Sequence, residues 1–183
     1  MSIFNPITDA GVLALNGNLE PEARLQSLLR LWLGNYFTGE PFTTRAVSGT
    51  QSMTFLACDF LWQDDVMALN QQKPVIHVLL TSDTDRLDLS PGTFGHTDRW
   101  QLDMLLKVPP VIASLTPLNP EHALRRLAGQ VVWLFSSGER EALSAQGVHE
   151  LKLVNPPVLV PASGAWHMRM VTASCLTWRE QVR

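Results

Sequence analysis

The sequence predicts a single α+β domain over residues 1–183, a mixed or antiparallel sheet packed against two main helices and carrying a long β-hairpin arm. Three observations point there. Two segments have apolar residues at helical spacing behind a Pro-led start, "EPEARLQSLLRLWLGNYF" and "NPEHALRRLAGQVVWLF". Several shorter segments alternate or run apolar like strands. No linker, repeat or low-complexity tract divides the 183 residues, which suit one core-forming domain.

Taken in order, residues 1–18 read as irregular, with Asn5-Pro6, Asn16-Gly17 and Asn18 as turn signals. The first helix opens on Glu20-Pro21-Glu22, where acids meet the positive end of the helix dipole. Leu25, Leu28, Leu29, Trp32 and Tyr36 form its apolar face, and Gly39 and Pro41 end it. Thr43 to Val47 suits a strand and Gly49 a turn. Met53 to Trp62 fits a second strand or a buried helix, since periodicity does not separate the two in short apolar runs. "QDDVMALNQQKP" is a short helix or loop closed by Pro74.

Val75–Thr81 is apolar on both faces, as a central strand would be. In the strand that ends at Val108, Trp100, Leu102, Met104, Leu106 and Val108 point one way. Gln101, Asp103 and Lys107 point the other, toward solvent or a partner, with Leu105 the exception. Between these strands, residues 82–99 read as an extended polar loop, far longer than the two to five residues of an ordinary hairpin. The second helix starts at Asn119-Pro120-Glu121 with a capping Asn and Pro at the first position. Leu124, Leu127, Ala128, Val131, Leu134 and Phe135 face the core, and Arg125, Arg126 and Gln130 lie mostly outside. A short helix through Ala142 and Leu143 ends at Gly147. Then follow the strand "HELKLV", a Pro-rich crossing "NPPVLVPASG" and a final strand from Trp166 to Trp178.

Composition narrows the function. Charged residues are 17% of the chain against about 25% in typical soluble domains, and there are six Trp. A surface poor in charge and rich in aromatics is what buried interfaces select, although a well-packed monomer with a neutral surface has equal weight on composition alone. Trp62, Trp133 and Trp166 fit core or interface alike. Net charge is −3 and Arg125-Arg126 is the one adjacent basic pair, so sequence-specific nucleic-acid binding is not expected. No apolar stretch reaches a membrane span and the first residues lack signal-peptide character, so no membrane partner is expected. Cys58 and Cys175 lie in apolar segments far apart and read as core thiols.

Catalytic signatures are missing. His77, His96, His122, His149 and His167 have no ligand spacing, so neither metal nor cofactor is expected. Asp64-Asp65 and the loop acids Asp83, Asp85, Asp88 and Asp98 could pair or hold Mg²⁺, but loop acids are far more often surface charge and turn-makers. There is no GxSxG elbow and no P-loop, "SGTQS" lacking the GK[ST] ending. No enzyme is expected. A small enzyme or ligand-binding site under the long loop, built on His96 or His77 with Asp83 or Asp98, is the weaker alternative.

The order of features carries one resemblance. A Pro-led strand "KPVIHVLLTSD" precedes the acidic loop and the Trp-bearing strand "DRWQLDMLLKV". A helix with an Arg pair, "ALRRLAGQVVWLF", follows, and then the closing strand "WHMRMVTASCLTWRE". Over roughly residues 19 to 180 this resembles the tail terminator family of long-tailed bacteriophages, the lambda-type minor tail proteins. The chain departs from the smallest members in its longer Pro-rich crossing and N-terminal segment. The resemblance implies a structural virion protein of the tail or neck, assembled in the host cytoplasm. It would form a ring, a homo-oligomer expected to be hexameric, that caps the head-proximal end of the tail tube. Its partners would be other copies of itself, the tail tube protein and a head-tail connector or neck protein, with DNA able to pass through the ring. A head-closure or other neck or minor tail protein is the alternative in the same setting. The assembly residues it implies are Arg86, Leu87, Leu89, Phe94 and Arg99 on the arm, and Gln101, Asp103 and Lys107 on the following strand.

Overall fold

A computed structural model describes residues 21–37, 42–48, 51–62, 73–87, 95–110, 119–163 and 166–180. The long hydrophobic face of the first helix, α1 (Pro21–Phe37), is fully used: Leu25, Leu28, Leu29, Trp32 and Tyr36 are buried, and so are Leu33 and Phe37. Strands β1 (Phe42–Ser48) and β2 (Gln51–Leu56) form an antiparallel hairpin. The ambiguous run from Met53 to Trp62 resolves into strand on both sides of a break. β2 stops at Leu56, Ala57 and Cys58 turn the chain, and β3 (Asp59–Trp62) joins a different sheet. The turn is pinned where the Cys58 amide donates to the Phe37 carbonyl at 2.8 Å.

That second sheet has the order β3, β4 (Val75–Leu87), β5 (Gly95–Val108), β8 (Trp166–Glu180), β6 (Val148–Leu153), with β7 (Val158–Ser163) also on β8. β3 and β4 run parallel and every other pairing in it is antiparallel. The domain is therefore α+β with a mixed sheet. β6 and β7 share one edge of β8, β6 beside its C-terminal half and β7 beside its N-terminal half.

Two stretches expected to be irregular are strand. β4 runs on through Ser82 to Leu87 and β5 already begins at Gly95, so only residues 88–94 of the expected loop at 82–99 fall outside the described residues. The reason is pairing: all 14 residues of β5 are matched by β8 in unbroken register, which holds a polar, Gly-containing stretch extended against its own propensity. The Pro-rich crossing contains β7, in which Pro161 sits on a strand with one described neighbour and so removes no ladder bond from a sheet interior.

The second helix, α2 (Pro120–Ser136), is capped as its sequence requires, Asn119 accepting from the Glu121 amide at 2.8 Å. Asn119→Ala is expected to cost about 1 kcal/mol, read as a lowered denaturation midpoint. A 3-10 turn (Gly138–Arg140) and a short helix α3 (Glu141–Ser144) follow, ending where Gly147 takes φ 85°. α1 and α2 cover one face of the large sheet, and the β1–β2 hairpin packs against the two helices. Toward the helices project Ile76, Val78 and Leu80 from β4, Leu102, Met104 and Leu106 from β5, and Val171, Ala173 and Cys175 from β8.

Gln130 corrects the sequence reading. It is buried rather than outside, because β2 has no described strand on the edge that faces α2 and the Gln130 side chain bonds to that edge. Its Oε1 accepts from the Leu56 amide at 3.1 Å and its Nε2 donates to the Thr54 carbonyl at 2.7 Å, so one side chain takes the place of a neighbouring strand. Trp62 is core. Trp133 is partly buried against the core and contacts Phe55, and Trp166 is half-buried.

Candidate functional site

The other face of the large sheet is left open by the helices among the described residues. Because side chains alternate along a strand, residues directly opposite one another share a face and form rows across the sheet. Thr81, Gln101, Ser174 and Lys152 make one row, and Leu79, Asp103 and Thr172 the next. His77, Leu105, Met170 and Val158 follow, then Val75, Lys107, Met168 and Val160. The last row is the most enclosed, with Val75 and Met168 buried. Leu79 is 43% exposed and Val158 56%.

Of the eight assembly residues expected from the sequence, Arg99, Gln101, Asp103 and Lys107 thus stand at alternate positions of β5 on this face. Arg86 and Leu87 belong to the end of β4, with their side chains outside the described ones. Leu89 and Phe94 lie outside the described residues. The central polar groups are already organised. Asp103 accepts from the Thr172 hydroxyl at 2.7 Å with one carboxylate oxygen and from the Gln101 amide at 2.9 Å with the other. That arrangement fixes three side chains before any partner arrives, which lowers the ordering cost of an interface.

Sequence reasoning gave Val75–Thr81 two apolar faces. The structure makes β4 central by pairing, but Leu79 and Thr81 are exposed and His77 half-buried, so one face is open. Burial, and then the charge of Lys107, lowers the pKa of His77 below the usual imidazole value, so it is neutral at pH 7. The contribution of β8 to the face, Met170, Thr172 and Ser174, was missed. The signal was available in "MRMVTASC", where Met170, Thr172 and Ser174 alternate with the buried Val171, Ala173 and Cys175.

Chemistry elsewhere is sparse. Burial pushes the Cys175 thiol up to about 12, and burial raises Cys58 well above the ordinary range against a smaller opposing effect of Lys73. Both thiols stay protonated and un-nucleophilic at pH 7, and neither is in a disulfide. Among the described residues no three His, Cys, Asp or Glu side chains gather as metal ligands, and no helix is long and apolar enough to cross a membrane.

No protein-family model matches the sequence, and no curated protein does. One solved structure that was matched covers 68% of this chain and 79% of its own at 11% identity, with a TM-score of 0.34. A likeness that slight carries no argument about this chain, and what it does rests on its own geometry.

Proposed function

We propose that the protein is a structural subunit of a bacteriophage tail, a terminator that assembles into a ring at the head-proximal end of the tail tube and offers a joining surface to the neck. The observation that supports this reading most is the open sheet face, with an organised polar centre at Asp103, Gln101 and Thr172 beside the exposed Leu79 and Val158. Mixed apolar and pre-bonded polar surface is the make-up of protein–protein interfaces.

The arm adds to it. The 13 residues of β4 and the 14 of β5 span about 43–46 Å when extended, and β3 pairs with only the first four residues of β4, so the hairpin extends well past β3. A closed ring needs a head-to-tail contact between two different patches, and the chain has two to offer, the open face and the arm. In this role the protein acts by shape and binding and carries out no reaction. The tube protein and a neck protein are its partners besides its own copies.

The test is the mass of the purified protein across a concentration series, with negative-stain imaging of the heaviest species. Rings, sixfold on this reading, are the expected result. Binding to tube ends in preference to connector rings separates a terminator from a head-closure protein. A chain that remains monomeric at high concentration and in the presence of tail tubes overturns the ring.

A further inference from the structure

The open face is interrupted where β6 meets β8. Their ladder pairs His149 with Leu176 and Lys152 with Ser174, so β6 places two residues, Glu150 and Leu151, where β8 places Cys175 alone. The extra residue decides which side chains face out. Leu151 is buried in the core, while His149, Glu150 and Lys152 are all exposed. The bulge holds Glu150 at φ 50°, a left-handed conformation that a residue with a Cβ rarely takes. Arg140, in the turn after α2, fixes it from behind by donating from Nη1 to the Leu151 carbonyl at 3.2 Å. Strained backbone held in place by its surroundings is a frequent mark of a ligand site.

Beside the bulge the strands leave a cleft of about 410 Å³. Small-molecule sites have volumes of about 300–1,000 Å³, far more than a lone ion fills. The cations of the cleft come from both strands that flank β8, Arg99 from β5 and Lys152 from β6, with the small Ser174 on β8 between those strands. Adjacent strands lie about 4.8 Å apart, so side chains as long as Arg and Lys reach over β8 from either side. Lys152, 62% exposed, is 3.7 Å from Glu150, 61% exposed, a contact that an incoming anion can replace. Arg99 is exposed, and the β4–β5 ladder sets Asp83 opposite it. Leu153, Val154 and Leu176 also line the cleft and give it an apolar wall.

The ligand these groups fit is an acid with an apolar body. A guanidinium offers two parallel N–H donors that match the two oxygens of a carboxylate, and an ammonium adds a second charge. Glu150 at the rim and Asp83 across the ladder compete for the two cations, which disfavours a multiply charged anion and keeps binding weak and exchangeable.

We infer that this cleft binds a small organic carboxylate, its oxygens on Arg99 and Lys152 and its apolar part against Val154 and Leu176. The same group can arrive free or at the end of a peptide chain. The inference is independent of the ring reading, because the cleft belongs to one chain.

Titration of the backbone amide resonances with hexanoate tests it, with hexanol as the uncharged control. Hexanoate is expected to shift the Lys152, Ser174 and Cys175 amides. Its half-saturation concentration is expected to rise about tenfold in Arg99→Gln and in Lys152→Gln, and to fall about threefold in Glu150→Gln. Arg125→Gln, on the outward side of α2, should bind as the parent does, and an otherwise unchanged amide spectrum shows that each variant is folded. N-acetylleucine separates the sources: tighter binding than hexanoate assigns the site to a chain end, weaker binding to a free acid. The site is overturned if those amides stay still up to about 0.1 M hexanoate, if hexanol moves them equally, or if both cation variants titrate like the parent. Inorganic phosphate binding as tightly as hexanoate also overturns it, because a bare ion makes no use of the apolar wall.

Discussion

Trp32→Ala is expected to be the most damaging single substitution in the protein, costing about 3–5 kcal/mol. Trp32 has no exposed surface and stands where α1 meets α2, its ring edge-on to Phe135 at 5.2 Å and to Tyr36 at 6.3 Å. Truncation removes the apolar area and leaves a cavity between two helices that the sheet prevents from closing up. Domains of this kind are stable by about 5–15 kcal/mol, so the loss removes a large share of the total and lowers the melting temperature by roughly 10–15 °C. Trp32→Phe should cost much less. The indole Nε1 is buried without a hydrogen-bond partner, and Phe gives up volume but also removes that unsatisfied donor. Thermal melts of the two variants check the pair. A Trp32→Ala protein within 1 kcal/mol of the parent by denaturant titration would contradict the packing described.

Gln130→Leu is expected to cost about 1–3 kcal/mol although the side chain changes little in volume. Leu cannot accept from the Leu56 amide, which is buried with Gln130 as its described acceptor, while the Thr54 carbonyl loses one of two donors and keeps Arg126. Arg126→Ala is the control. Arg126 also donates to the Thr54 carbonyl, at 2.9 Å, but is exposed, and Gln130 still holds that oxygen when Arg126 is gone, so its loss should stay under about 1 kcal/mol. Hydrogen exchange at the Leu56 amide sharpens the comparison: protection should fall in Gln130→Leu and persist in Arg126→Ala. Equal stability losses in the two would mean that Gln130 does not act as the missing strand.

The same residue shows where the sequence stops being informative. On the α2 pattern Gln130 belongs to the polar side by type, and what buries it is an edge 76 residues earlier in the chain, which no local pattern contains. Leu25 to Tyr36, Leu124 to Phe135 and Trp100 to Val108 were legible because each buries a stripe at the period of its own element. The capping of α2 by Asn119 was legible for the same reason, since a cap is made within a few residues. The site was half legible. The alternation of β5 placed Gln101, Asp103 and Lys107 on a common face, but Leu79 and Thr172 join them only through the β4–β5 and β5–β8 registers.

By itself, then, the sequence determined the local periodicities, the caps, the α+β class and the apolar side of each main element, all properties of hydrogen bonds and side chains within one or two turns. Tertiary structure alone decided that Ser82–Leu87 and Gly95–Arg99 are strand, that β7 exists within a Pro-rich crossing, that Gln130 is interior, and that the helices leave one face of the large sheet open among the described residues. The physical reason is that strand pairing joins backbone groups far apart in sequence. Ser82 to Leu87 and Gly95 to Arg99 have weak preference for extended structure, and the ladders formed with their neighbours outweigh it.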